Sequence, residues 1–129
     1  MNKNLKRIIS MVAIVMMCST SAFAGTKYKK QTITVPRLGG AQSSNKETKS
    51  VTGKYGNLMN PSVGGGYTVS ANMICGGSPG GSISVKTQRG TLDLPSKKTH
   101  KSGQSSHVLF QNKLGTLVQV NVTSQIRTN

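Results

Sequence analysis

Glu47 and Asp93 are the only carboxylate side chains in the 129-residue sequence, and they limit its acid–base chemistry. Catalysis by a carboxylate pair would require the two to meet in the folded chain. Asp93 stands between Leu92 and Leu94, and alternation in an extended chain turns it away from the face that the leucines share. We therefore expect a surface carboxylate at Asp93 and no acid pair.

A hydrolytic triad is the second chemistry to consider, because serines, histidines and one aspartate are present. Ser105 or Ser106, His100 or His107, and Asp93 supply the residue types. However, no serine has the glycine pattern of a nucleophile elbow, and serines are abundant throughout the sequence. The sequence predicts no catalytic residue and no enzymatic activity.

Metal binding would depend on His100, His107 and Cys75. The seven-residue separation of the two histidines does not match a recognised ligand spacing. Lys98 and Lys101 flank His100, and their charges oppose the binding of another cation. We predict no metal or cofactor site and expect both histidines to be solvated.

Basic clusters are the remaining chemical feature, and ammonium groups bind phosphate-bearing polymers as point charges. Only Tyr28 interleaves with them, whereas surfaces for single-stranded nucleic acid usually carry several stacking aromatic residues. We expect an anionic envelope polymer or a membrane surface as the partner, with nucleic acid ranked lower. The candidate polyanion-binding residues form two triplets: Lys27, Lys29 and Lys30, and Lys97, Lys98 and Lys101.

The N-terminus has the layout of a signal peptide. Three cations precede an apolar run at residues 8–17, and small residues follow at Ala22 and Ala24. We predict a signal helix within residues 1–24, cleavage after Ala24, and a secreted, extracellular protein. A permanent membrane anchor is an alternative, but the run is shorter than the roughly 20 residues that span a bilayer. Lipid attachment at Cys18 is another, although Met17 before it is not small.

Residues 25–129 have the length of one domain with one core. Loss of the three N-terminal cations would leave 14 of the 17 basic residues against two acidic ones, and a formal net charge of +12. Such a charge attracts polyanions over distances set by the salt concentration. Cys75 would be the one remaining cysteine, either buried as a small apolar residue or paired between chains.

Alternating apolar and polar residues predict an all-β fold of six to seven short strands. Strands with one apolar face must bury that face against another sheet, so we choose an antiparallel β-sandwich over a small barrel. Strands are predicted at 31–36, 67–74, 83–87, 92–94, 107–111 and 116–124, and more weakly at 46–53. Loops are predicted at 53–66, 76–81 and 95–107, with a four-residue hairpin loop at 112–115. The predicted core comprises Ile33, Val35, Val69, Met73, Ile83, Val85, Leu92, Val108, Phe110, Val118, Val120 and Val122.

A leader ending in Ala22, Phe23 and Ala24, a domain of about one hundred residues, glycine-punctuated strands and strong basicity resemble the small secreted β-sandwich bacteriocins of the lactococcin type. The resemblance is one of layout over most of the chain and implies antimicrobial activity at bacterial envelopes. Our first hypothesis is a secreted, cationic, non-enzymatic protein that binds anionic envelope components. The alternative is an extracellular structural or interaction protein that pairs through a strand edge, its lysines serving solubility.

Overall fold

The computed structural model describes residues 24–129 of the chain, which form two antiparallel β-sheets. The predicted signal peptide, apart from Ala24, lies outside the described residues. Within residues 24–129, no helix is long and apolar enough to span a membrane. The nine strands of this part are β1 (Lys29–Val35), β2 (Ala41–Ser43), β3 (Glu47–Thr48), β4 (Gly56–Val63), β5 (Val69–Cys75), β6 (Ser78–Val85), β7 (Thr91–Leu94), β8 (Ser105–Gln111) and β9 (Val120–Arg127).

The predicted all-β sandwich is confirmed, with more strands than expected. The first sheet has the order β1-β9-β4-β7, and the second has the order β2-β8-β5-β6 with β3 also paired to β8. Along the strands, residues that face the core alternate with residues that face outward, as in β5, where every second residue is buried. Ile83 and Leu92 are only partly buried against the core. The core also contains residues that the sequence did not predict: Leu58, Val63, Ala71, Leu94 and Ile126.

Residues 53–66 were predicted as a loop, and this prediction is wrong, because β4 lies between β9 and β7 in the first sheet. Leu58 and Val63 both point into the core. A bulge shifts the register between Met59 and Ser62, so the inward residues are five positions apart. An odd separation breaks the two-residue alternation by which strands are recognised.

The prediction of a flexible connection at 76–81 is also wrong. Gly76 and Gly77 form a two-residue turn with φ of 57° and 79°, and β6 begins immediately after them. Positive φ at both central residues is the requirement of the tightest β-hairpin turns. The remaining glycines of this stretch therefore belong to a strand.

The hairpin predicted at 112–115 is wrong as well, since β8 and β9 belong to different sheets. The connection crosses the sandwich, and the buried Asn112 donates from Nδ2 to the backbone oxygen of Val35 at 3.2 Å. β9 begins only at Val120. Val118, predicted in the core, is 46% exposed in this crossing segment.

Candidate polyanion-binding surface

The two lysine triplets lie at the same end of the sandwich. β1 starts at Lys29, which pairs with Ile126 near the end of β9. Across the same sheet, β4 starts at Gly56 and pairs with Leu94, the last residue of β7. Residues 95–104, which we call the lysine loop, follow directly. The strand register thus places both triplets at one end of the first sheet, beside its two opposite edge strands.

The lysine loop is held by backbone hydrogen bonds to the segment after β3. The amide of Gly53 donates to the carbonyl of His100 at 3.0 Å, and that of Gly103 donates to the carbonyl of Lys49 at 2.7 Å. The amide of Lys49 donates in return to the carbonyl of Gln104 at 2.8 Å. These bonds fix the backbone that carries the exposed lysines of the loop.

His100 anchors the same loop, and its predicted solvation is wrong. The ring is 0% exposed, with Nε2 at 2.8 Å from the carbonyl oxygen of Ser78 and Nδ1 at 3.1 Å from Oγ of Ser96. Burial lowers the pKa of His100, the hydrogen bond to Ser78 opposes this, and the charges of Lys49 and Lys97 add to it. Through its hydrogen bond to Ser78, the neutral ring connects the lysine loop to β6.

Gly80 allows β6 to approach the first residue of the lysine loop. A Cβ atom at this position would overlap the carbonyl oxygen of Pro95 and would lie 3.2 Å from Cε1 of His100. Both of these atoms belong to the part of the lysine loop that is held by hydrogen bonds. Glycine is therefore required here for close packing, since this residue does not have a positive φ.

The N-terminal triplet is fixed to the sheet through its aromatic residue. The guanidinium of Arg127 lies over the ring of Tyr28, 4.3 Å from the ring centroid. Nε of Arg127 donates to Oδ1 of Asn57 at 2.8 Å, and Nδ2 of Asn57 donates to Oδ1 of Asp93 at 2.8 Å. Asp93 is exposed, as the alternation predicted. The network holds Tyr28 in place and leaves Lys27, Lys29 and Lys30 exposed.

Lys49 lies under this surface and was not identified from the sequence. It is 1% exposed, and its Nζ donates to the carbonyl oxygens of Lys54 and of Thr128, the latter at 2.8 Å. Burial lowers the pKa of Lys49 to about 8; a thiolate at Cys75 would oppose the shift, and the charge of Lys54 adds to it. The buried amine joins the segment after β3 to the residues that follow β9.

Glu47 and Asp93 do not form an acid pair. Glu47 is 5% exposed in the second sheet, where Oγ1 of Thr128 donates to its Oε2 at 3.3 Å. Burial raises the pKa of Glu47, while the charge of Lys29 and the hydrogen bonds from Thr128 lower it. Asp93 lies on the outer face of the first sheet. Two carboxylates, one of them buried, cannot neutralise the surrounding lysines.

The charge of the domain is concentrated at this end, which we call the basic end. The remaining basic residues, Arg37, Lys86, Arg89 and Lys113, follow or precede strands at the opposite end. Most side chains of the basic end are exposed, so their electrostatic field can attract a partner. Ten of the 14 basic residues after the predicted cleavage site belong to it: Lys27, Lys29, Lys30, Lys46, Lys49, Lys54, Lys97, Lys98, Lys101 and Arg127.

Cys75 is buried, which answers the question that the sequence left open. The thiol is 1% exposed and donates to Oε1 of Gln104 at 3.3 Å. Burial raises the pKa of the Cys75 thiol, and the charge of Lys49 opposes this shift. A buried, protonated thiol is a poor nucleophile.

We expect the thiol of the folded protein to react with an aromatic disulfide reagent at least about 100 times more slowly than after denaturation, because only the accessible thiolate reacts. A Ser43→Cys variant is the control, since Ser43 is exposed and its added thiol should react at once. Rapid labelling of Cys75 in the folded parent, or a reducible dimer on electrophoresis, would contradict burial.

Within residues 24–129, no group of three or more His, Cys, Asp or Glu residues is arranged to hold a metal ion. No protein-family model matches the chain, and no curated protein matches it either. The resemblance to lactococcin-type bacteriocins therefore stays a prediction, and the function is inferred from the basic end.

Proposed function

We propose that the protein is a secreted, non-enzymatic binding protein whose basic end holds phosphate-bearing components of bacterial envelopes. The main support is the convergence of the two triplets. β1 and β7 are separated by three strand spacings in the first sheet, or roughly 15 Å. A single linear polymer can contact cations at both positions. The anchored lysine loop and the fixed Tyr28 hold those cations ready for the partner.

The affinity comes from the number of contacts, because each exposed ammonium contributes little in salt solution. Each contact releases counterions from the polyanion, so the small contributions of several ammonium groups add up. The scarcity of internal anions also favours this function, because Glu47 and Asp93 are the only carboxylate side chains against the 14 basic residues that follow Ala24.

The test replaces each triplet by glutamine and measures binding as a function of salt. We expect the loss of Lys27, Lys29 and Lys30, or of Lys97, Lys98 and Lys101, to weaken binding about tenfold or more at low salt. Each variant should also reduce the slope of log affinity against log salt by about 2. Stability should change little, because substitutions at exposed positions usually stay within about 0.5 kcal/mol each.

A matched control removes the same charge from the opposite end by replacing Arg37, Lys86 and Lys113 with glutamine. Purified teichoic-acid polymer and phosphatidylglycerol vesicles serve as separate probes, so that a wall polymer and a lipid headgroup can be distinguished. Equal loss in all three variants would mean that only net charge matters. Parent-like affinity of both triplet variants at low salt would exclude the basic end as the binding surface.

A further inference from the structure

The outer strands of the sandwich differ in their protection against pairing, and β3, with two residues, is the shortest of them. β6 contains Pro79 and two glycines, β7 has four residues including a charged one, and β2 has three residues. Short length, proline and charge are the features that keep edges from pairing. β1 has seven residues, and from Gln31 to Val35 it contains no charge, proline or glycine. Within residues 24–129, it is the least protected edge.

β1 also borders an open space into which side chains of an added strand would fit. The edges β1 and β2 lie on the same side of the sandwich and enclose a groove of about 570 Å³, lined in part by Thr32, Thr34, Gln42 and Ser43. The two sheets are joined here by Gln31, whose Oε1 accepts the amide of Asn45 at 2.7 Å. This bond keeps the two edges at a fixed separation.

The charges around this edge select among partners. Lys29 and Lys30 stand at the start of β1, and both are exposed. A second copy of the chain would bring another formal charge of +12, so its approach is opposed by repulsion. An extended segment with acidic residues at one end would be attracted, while its backbone pairs with the uncharged part of β1.

We propose that the free edge of β1 is a docking site for an acidic, extended segment of another protein. The segment adds to the first sheet as a fifth strand, with its acidic end beside Lys29 and Lys30. Its alternate side chains lie over the groove between β1 and β2. The site shares Lys29 and Lys30 with the basic end, but its backbone pairing runs along Gln31 to Val35, away from the lysine loop, and so goes beyond the binding of polyanions.

The experiment uses a synthetic peptide with alternating Thr and Val in its centre and two Glu residues at each end. Two isomers of the peptide carry N-methyl groups on alternate residues. In one isomer the methyl groups block the N–H donors along one edge of the extended backbone, and in the other they block the donors along the opposite edge. N-methylation removes hydrogen-bond donors without changing charge. We expect the unmethylated peptide and one isomer to bind, and the other isomer to bind at least about tenfold more weakly. Amide exchange should slow within Gln31 to Val35 and remain unchanged in β6 and β7.

The variant with glutamine at Lys97, Lys98 and Lys101 separates this proposal from the preceding one. Its discrimination between the two isomers should be the same as that of the parent, even if polymer binding is lost. Equal binding of both isomers, absence of binding by the unmethylated peptide, or protection confined to the lysine loop would overturn the proposal. Protection of β1 that increases with protein concentration without peptide would assign the edge to a second copy and overturn it too.

Discussion

Replacing Lys49 with alanine is expected to lower the free energy of unfolding by about 2–4 kcal/mol. Loss of the buried stem removes about 0.8 kcal/mol per methylene, and the carbonyl oxygens of Lys54 and Thr128 each lose a donor at about 1–3 kcal/mol. Relief from burying an ammonium group offsets part of this loss. Lys49→Met keeps most of the stem and should cost no more than about half as much. Urea unfolding at pH 7 measures both changes.

Unfolding of the same variants at alkaline pH tests whether the pKa of Lys49 is lowered in the folded chain. The pKa of Lys49 is about 8 in the folded chain against about 10.4 in an unfolded one. Between these values the unfolded chain holds more protons, so stability contributed by this group rises with pH, by on the order of 2–3 kcal/mol. Lys49→Met should lack this rise. Lys86→Ala, at an exposed lysine of the opposite end, is the control and should retain it. A flat profile in the parent would contradict the lowered pKa.

Gly80→Ala is expected to cost about 3 kcal/mol or more, or to prevent folding. The added methyl group would overlap the carbonyl oxygen of Pro95, and a backbone atom yields less readily than a side chain. Gly115→Ala is the matched control, because a Cβ there meets nothing within 4 Å and its φ is not positive. The control should stay within about 0.5 kcal/mol of the parent in thermal unfolding. Equal stability of the two variants would show that β6 does not press against the lysine loop.

If the Gly80→Ala protein still folds, its binding gives a second measurement. Displacing Pro95 should move the backbone of the lysine loop and weaken polymer binding, while Gly115→Ala should bind as the parent does. Unchanged affinity in a folded Gly80→Ala protein would mean that the packing supports the fold without positioning the lysines.

Strands with an unbroken alternation could be predicted from the sequence, because that pattern depends only on neighbouring residues. β5 and β8 are examples that bury every second residue, and β1 does so from Gln31 onward. β4 could not be recognised, since its bulge separates Leu58 from Val63 by an odd number of residues. Only the second part of β6 was predicted, within the strand at 83–87, because Gly80 and Gly81 in its first part resemble a linker. Their contact with Pro95 explains these glycines.

The candidate site was predictable only in part. Exposure of the two triplets follows from their polar surroundings, and both are exposed in the fold. Their convergence depends on the pairing of β1 with β9, β9 with β4 and β4 with β7, which joins distant parts of the chain. Burial of Lys49 and His100 depends on the same long-range packing. No local pattern distinguishes these two residues from the exposed cations beside them.

The pairing of β1 with β9 also determines when this domain can finish folding. β1 is the first strand of the described chain, and all of its ladder partners lie between Val120 and Ile126. During synthesis, Lys29–Val35 must therefore wait for the last strand, which is also needed to link β4 into the same sheet. Closure of such distant pairs is slow and leaves early strands unprotected. The first sheet therefore cannot be completed before β9 has been synthesised, whereas the second sheet, which does not contain β9, can form earlier.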